Sequence, residues 1–137
     1  MTTLTSLRER VEKATGPDRE IDVEIFFELD WTGQGDARTA PEYTSSIDAV
    51  VALIERELPG WAWKVGTCCV SDDAWLAPDF NSPDHGDRLR QELSYAKIEA
   101  GDILDVGIDI DRRPSGNPAL ALLLAFLKAK LVERNAT

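Results

Sequence analysis

Between Asp102 and Asp111, apolar and acidic residues take turns. Leu104, Val106, Ile108 and Ile110 alternate with Asp105, Gly107, Asp109 and Asp111. Strict alternation predicts a strand with aliphatic residues on one face and three carboxylates on the other. Arg112 to Gly116 breaks it, because Pro114 removes a ladder donor and Gly116 permits a turn. Asn117 then reads as an N-cap, with Pro118 at the first helical position. From Ala119 to Leu127 the helix is apolar almost all the way round, which predicts burial on several sides. It is expected to lie on the aliphatic face of the strand as the centre of the core. Lys128, Lys130 and Arg134 are expected near its C-terminal end, where cations complement the helix dipole.

The rest of the chain has weaker periodicities. Leu4, Leu7, Val11 and Ala14 recur at helical spacing, and Gly16 stops the pattern. Pro17-Asp-Arg-Glu20 reads as a new helix start with Pro17 at its first position. Ile21, Ile25 and Leu29 continue it, although Ile21, Val23 and Ile25 also alternate with acids as a strand would. Helix is the favoured reading. Trp31 to Glu42 is expected to be a loop, and its Gly33-Gln-Gly35 has neither the lysine of a phosphate loop nor the third glycine of a dinucleotide fingerprint. Ser45, with Asp48 three residues on, predicts a cap for a helix whose stripe is Ile47, Val50, Val51, Ile54 and Leu58. Pro59-Gly60 ends that helix. Trp61, Trp63 and Val65 share one face of a strand continuing to Val70. Ser71 to Asp73 is expected to turn, and Ala74 to Ala77 to complete a hairpin. Asp79 to Gly86 reads as a loop. Residues 87–100 begin as helix and can change to strand near Tyr95. Strands clustered between helices predict an α+β fold with a small, mostly antiparallel sheet.

Composition narrows the function classes. A chain of 137 residues is long enough for one core, so 1–137 is expected to be a single domain. The N-terminus has no signal-peptide apolar region, and the longest apolar run falls short of the ~20 residues of a membrane span. A cytoplasmic location and no membrane association are expected. Cys68 and Cys69 are adjacent and lack metal-site spacing, which fits reduced structural thiols. The formal net charge is −10. That disfavours direct nucleic-acid binding, which needs clustered cations, and it suits a basic protein partner, including one that itself binds nucleic acid.

Four stretches occur in an order that resembles one family: Ala14-Thr-Gly-Pro-Asp-Arg-Glu-Ile-Asp22, Tyr43-Thr-Ser-Ser-Ile-Asp-Ala49, Pro59-Gly-Trp-Ala-Trp63 and Asn117-Pro-Ala-Leu-Ala-Leu122. Together they look like the phage ABA sandwich domain of small phage and prophage proteins. The acidic Asp79–Ala100 segment departs from that pattern. The resemblance implies a layered α-β-α sandwich. It implies no established activity, so no functional residues carry over.

Two acidic features are candidates for chemistry. Asp105, Asp109 and Asp111 share a strand face and can gather oxygens around Mg²⁺ or Mn²⁺; the ordinary use of such a face is solvation. Asp84 and Asp87 flank His85, the single histidine, in a loop that fails the calcium-loop pattern. No Gly-x-Ser-x-Gly nucleophile motif occurs. Of Trp61, Trp63 and Trp75, at least two are expected in the core. The leading expectation is a non-enzymatic, cofactor-free phage-type accessory protein that binds a macromolecular partner, with Asp105, Asp109, Asp111, Asp84 and Asp87 as contacts. A sharper form is an acidic nucleic-acid mimic inhibiting a host defence system, anti-CRISPR-like in character. The alternative is a metal-dependent hydrolase using the Asp105/Asp109/Asp111 stripe.

Overall fold

The computed structural model describes the chain except residues 1, 2, 15, 31, 32, 34, 68–71, 80, 93–107, 110–117 and 137. It is an α+β fold. The first helix, α1 (Leu4–Lys13), starts at Thr3, whose hydroxyl accepts from the Ser6 N–H at 3.1 Å. It buries Leu4, Leu7 and Val11, the stripe its spacing predicts.

The following segment is helical, as favoured over strand: α2 spans Arg19–Ile25 and passes into a π-helical turn at Phe26–Asp30. Its first residue, Arg19, lies two residues later than the expected Pro17. Asp18 is the N-cap, accepting from the Glu20 and Ile21 amides at 3.0 and 3.4 Å, so Pro17 lies before the helix. A carboxylate can satisfy two orphan amides, and proline at this place offers no acceptor side chain. Asp22 is buried yet satisfied. It accepts from the Thr44 amide at 2.8 Å and pairs with Arg19 at 3.3 Å. Arg19 also donates to the carbonyls of Ala37, Arg38 and Pro41, tying down a loop with one 3-10 turn at Ala37–Thr39.

Helix α3 (Ile47–Glu57) is capped by Ser46 and not by Ser45: the Ser46 hydroxyl accepts from the Ala49 amide at 3.2 Å, while residues 43–45 form the preceding turn. Val50, Leu53, Ile54 and Leu58 are buried, and Ile47 and Val51 are half-buried. Gly60 then turns the chain at φ +89°, a region costly for a residue with a Cβ.

The predicted hairpin forms from β1 (Trp61–Thr67) and β2 (Asp72–Pro78), antiparallel, with Trp61 opposite Pro78 and Thr67 opposite Asp72. Asp72 and Asp73 therefore belong to β2 and not to a turn. Ladder pairing with Thr67 and Gly66 outweighs their turn propensity. Helix α4 (Gly86–Glu92) follows, as the beginning of 87–100 predicted. Within the acidic strand, Ile108–Asp109 is described as β3, which pairs antiparallel with β2 on the side away from β1.

The last helix, α5 (Pro118–Ala136), is central in the way its composition predicts. Pro118 is its first residue, and every residue from Ala119 to Leu127 is buried. It packs against all three strands and also against α1 and α3. An apolar surface facing in so many directions has partners in each of them. Lys128 and Lys130 are not at its end, since the helix runs on to Ala136. They reach sideways instead: Lys128 pairs with Glu12 of α1 at 3.8 Å, and Lys130 donates to the Glu57 carbonyl at 3.2 Å, closing the C-terminus of α3. Among the described residues, the extensive packing on the sheet comes from α5. A second helical layer, as in an α-β-α sandwich, stays an expectation of the resemblance.

Candidate functional site

The acidic turn after β2 is built from short-range bonds. The Asp79 carboxylate accepts from the Asn81 amide at 3.0 Å, and its carbonyl accepts from the Ser82 amide at 3.1 Å. The Ser82 carbonyl accepts from Gly86, and the His85 carbonyl accepts from Leu89, which starts α4. Leu89 is buried in the core and holds the helix down. Arg88 donates to the Pro59 carbonyl at 2.8 Å. A Cβ added at Gly60 would come within 2.5 Å of the His85 Cβ, so the turn sits directly against the start of the hairpin. Asp84 and Asp87 are both exposed on this anchored turn, and His85 is half-buried between them. The geometry thus presents two carboxylates to solvent on a fixed backbone.

The carboxylate stripe is located only in part. Asp105 and Asp111 lie outside the described residues. Asp109 lies in β3, where the register sets it opposite Asp73. Cys68 and Cys69 also lie outside the described residues. Among the described residues, no group of three or more His, Cys, Asp or Glu side chains is placed to hold a metal ion. No helix among them is long and apolar enough to cross a membrane.

The tryptophans divide differently from expectation. Trp61 is buried at 7% exposure, but Trp63 and Trp75 are 36% and 38% exposed. Only one of the three is a core residue. Trp63 shares the face of Trp61, yet β1 ends the sheet and no described strand lies beyond it. Trp75 stands opposite Lys64 in the register, on the face away from Trp63, and Lys64 is exposed as well. Alternation along the strand was readable; which strand formed the edge was not.

That edge has a definite polarity. The Asp79 amide donates to the Gly60 carbonyl at 3.0 Å, just beyond the Trp61–Pro78 pair. Antiparallel alternation then turns the main-chain groups of Ala62, Lys64 and Gly66 toward β2. Those of Trp63 and Val65 turn outward. The Trp61 amide also belongs to the outward set, but it donates to the Leu58 carbonyl at 3.1 Å.

A shallow cleft of about 410 Å³ lies between α1 and α2, lined by Arg10, Lys13, Ala14, Gly16, Pro17, Asp18 and Ile21. Its cations face acids close by. Arg10 pairs with Glu24 and lies 4.0 Å from Glu20, and Asp18 is part of the wall. The charges largely cancel, so the cleft has no strong preference for an anion.

Comparison with known proteins adds no relative: no family model, no curated protein and no solved structure matches this chain.

Proposed function

We propose that this chain is a non-enzymatic accessory protein of the phage type, acting by binding a basic macromolecular partner through acidic surface. The observation that carries the reading is the pair of exposed carboxylates, Asp84 and Asp87, on a turn anchored to the core by Leu89 and Arg88. A net charge of −10 surrounds them with a negative field, which speeds encounter with a basic surface and weakens in salt. A nucleic-acid-binding host protein has the complementary charge. Inhibition of a host defence system by mimicry of nucleic acid is the sharpest form of this reading. The order of the four family-like stretches supports its phage character.

The test is capture of a partner from a bacterial host lysate, followed by association kinetics at two salt concentrations. Reversing Asp84 and Asp87 to lysine is expected to slow association and flatten its salt dependence in a protein that still folds. Unchanged kinetics would remove this turn from the interface. The metal-dependent hydrolase has one observation in its favour, the register that sets Asp73 opposite Asp109. Tight Mn²⁺ binding by calorimetry, abolished by Asp109→Ala, would favour that alternative over the first.

A further inference from the structure

We propose that the outer edge of β1 accepts an extended segment of the basic partner as an added antiparallel or parallel strand, an inference that rests on the partner reading above. Three observations converge on this edge. β1 is the terminal strand of the described sheet, with the main-chain groups of Trp63 and Val65 directed outward. An edge of this kind supplies a ladder of donors and acceptors to an incoming chain. Trp63 stands over that edge at 36% exposure, on the face that buries Trp61 and Leu76, so an apolar side chain of the incoming strand would find a wall ready for it. Partly exposed tryptophan is a frequent anchor of interfaces. Finally, β1 contains no proline between Trp61 and Thr67, and lysine at position 64 is its one charge.

Charge selects the occupant. A second copy of the chain is disfavoured, because each copy has a net charge of −10 and Lys64 lies in the middle of the strand. Antiparallel pairing centred on that residue would bring two lysines together. A segment from a basic protein meets attraction from the field of the whole domain. Its own strand should alternate, with apolar residues toward Trp63 and Val65, no cation opposite Lys64, and lysines or arginines flanking the paired stretch.

Position 65 offers a clean test. Its N–H points away from β2, so Val65→Pro removes a donor from the open edge while leaving the ladder within the hairpin intact. Val65→Thr keeps the donor and serves as the control. The probe is a randomised nonapeptide library panned on the intact chain. An enriched basic peptide is then synthesised beside a twin whose flanking cations are replaced by glutamates. The basic peptide is expected to bind, to lose about tenfold or more in affinity to Val65→Pro, and to bind Val65→Thr as it binds the parent. A thermal melt confirms that both variants fold. A Val65→Pro chain that unfolds is replaced by N-methylation of Val65 in semisynthetic protein, read by the same affinity. Binding that survives loss of this N–H, or enrichment of no peptide at all, overturns the inference. If the surviving binding instead falls in Asp84→Lys/Asp87→Lys, the edge is excluded and the acidic-surface reading stands. Equal binding of the glutamate-flanked twin overturns the basic occupant and, with it, the electrostatic reading.

Discussion

Helix α5 and the β1–β2 hairpin are both rich in apolar residues, yet the chain uses them in opposite ways. Ala119 to Leu127 is buried without a gap, because strands and helices surround it. The hairpin has neighbours on fewer sides. It buries Trp61, Ala74 and Leu76 and leaves Trp63 and Trp75 in contact with solvent. The difference teaches that hydrophobicity predicts burial only where the fold closes around the element. An all-round apolar helix forces that closure, since no orientation leaves it a polar face. A two-stranded ribbon at a sheet edge does not, and what it leaves uncovered is available to a partner.

The comparison breaks first at α5. Leu124→Ala removes a side chain that is 2% exposed and opens a cavity, so unfolding in denaturant is expected to show a loss of about 2–5 kcal/mol. A loss below about 1 kcal/mol would make the helix peripheral. Within the hairpin the same contrast should recur between two tryptophans. Trp61→Ala is expected to cost about 3–5 kcal/mol, and Trp75→Ala less than half of what Trp61→Ala costs, in the same denaturation series. Equal costs would mean that Trp75 is covered and that the uncovered face is not there. The buried polar pair between α2 and the turn before α3 lies between these extremes. Asp22→Ala leaves the buried Thr44 amide without the acceptor it has at 2.8 Å, and a loss of about 1–3 kcal/mol is expected. Asp22→Asn, which keeps an acceptor, should recover part of it.

These regions also differ in how far they could be read in advance. α5 was legible because nine consecutive residues from Ala119 to Leu127 have no polar side chain, and Pro118 marks the start. The stripes of α1 and α3 were legible for the same reason of period. The cap of α3 moved by one residue, to Ser46, because neighbouring serines offer competing acceptors and only backbone geometry selects between them; α2 begins two residues after Pro17 because Asp18 caps it. Lys128 and Lys130 were placed at a helix end because the apolar run stops there, whereas the helix continues under helix-forming residues to Ala136. The expectation that at least two of Trp61, Trp63 and Trp75 lie in the core failed at Trp63 and Trp75, since exposure on a strand depends on which neighbours the strand lacks. The acidic turn was legible as an exposed loop, while its anchoring through Gly60, Arg88 and Leu89 depends on long-range contact. The stripe Asp105, Asp109, Asp111 is tested only at the backbone of Asp109.

The smallest effects are expected at the acidic turn, and they sharpen the comparison most finely. Asp84 and Asp87 are both exposed and three residues apart, so bulk charge alone gives them equal weight. Their local settings differ. Asp84 lies in the turn before α4, while Asp87 lies in the helix's first turn, where the aligned peptide dipoles give the N-terminus a partial positive charge. A carboxylate there is favoured and an ammonium is disfavoured. Asp87→Lys is therefore expected to lower stability by about 0.3–1 kcal/mol. Asp84→Lys should change it by no more than about 0.5 kcal/mol in either direction, because it is an exposed turn residue. Both substitutions reduce the net negative charge by the same amount, so both should slow association with a basic partner by similar factors at low salt. Thermal melts and association kinetics on the two single variants separate these effects. Equal stability costs would show that the short helix exerts no useful field at Asp87. Unequal kinetics at equal charge would instead place one carboxylate inside the contact and leave the other to act only through the field of the domain.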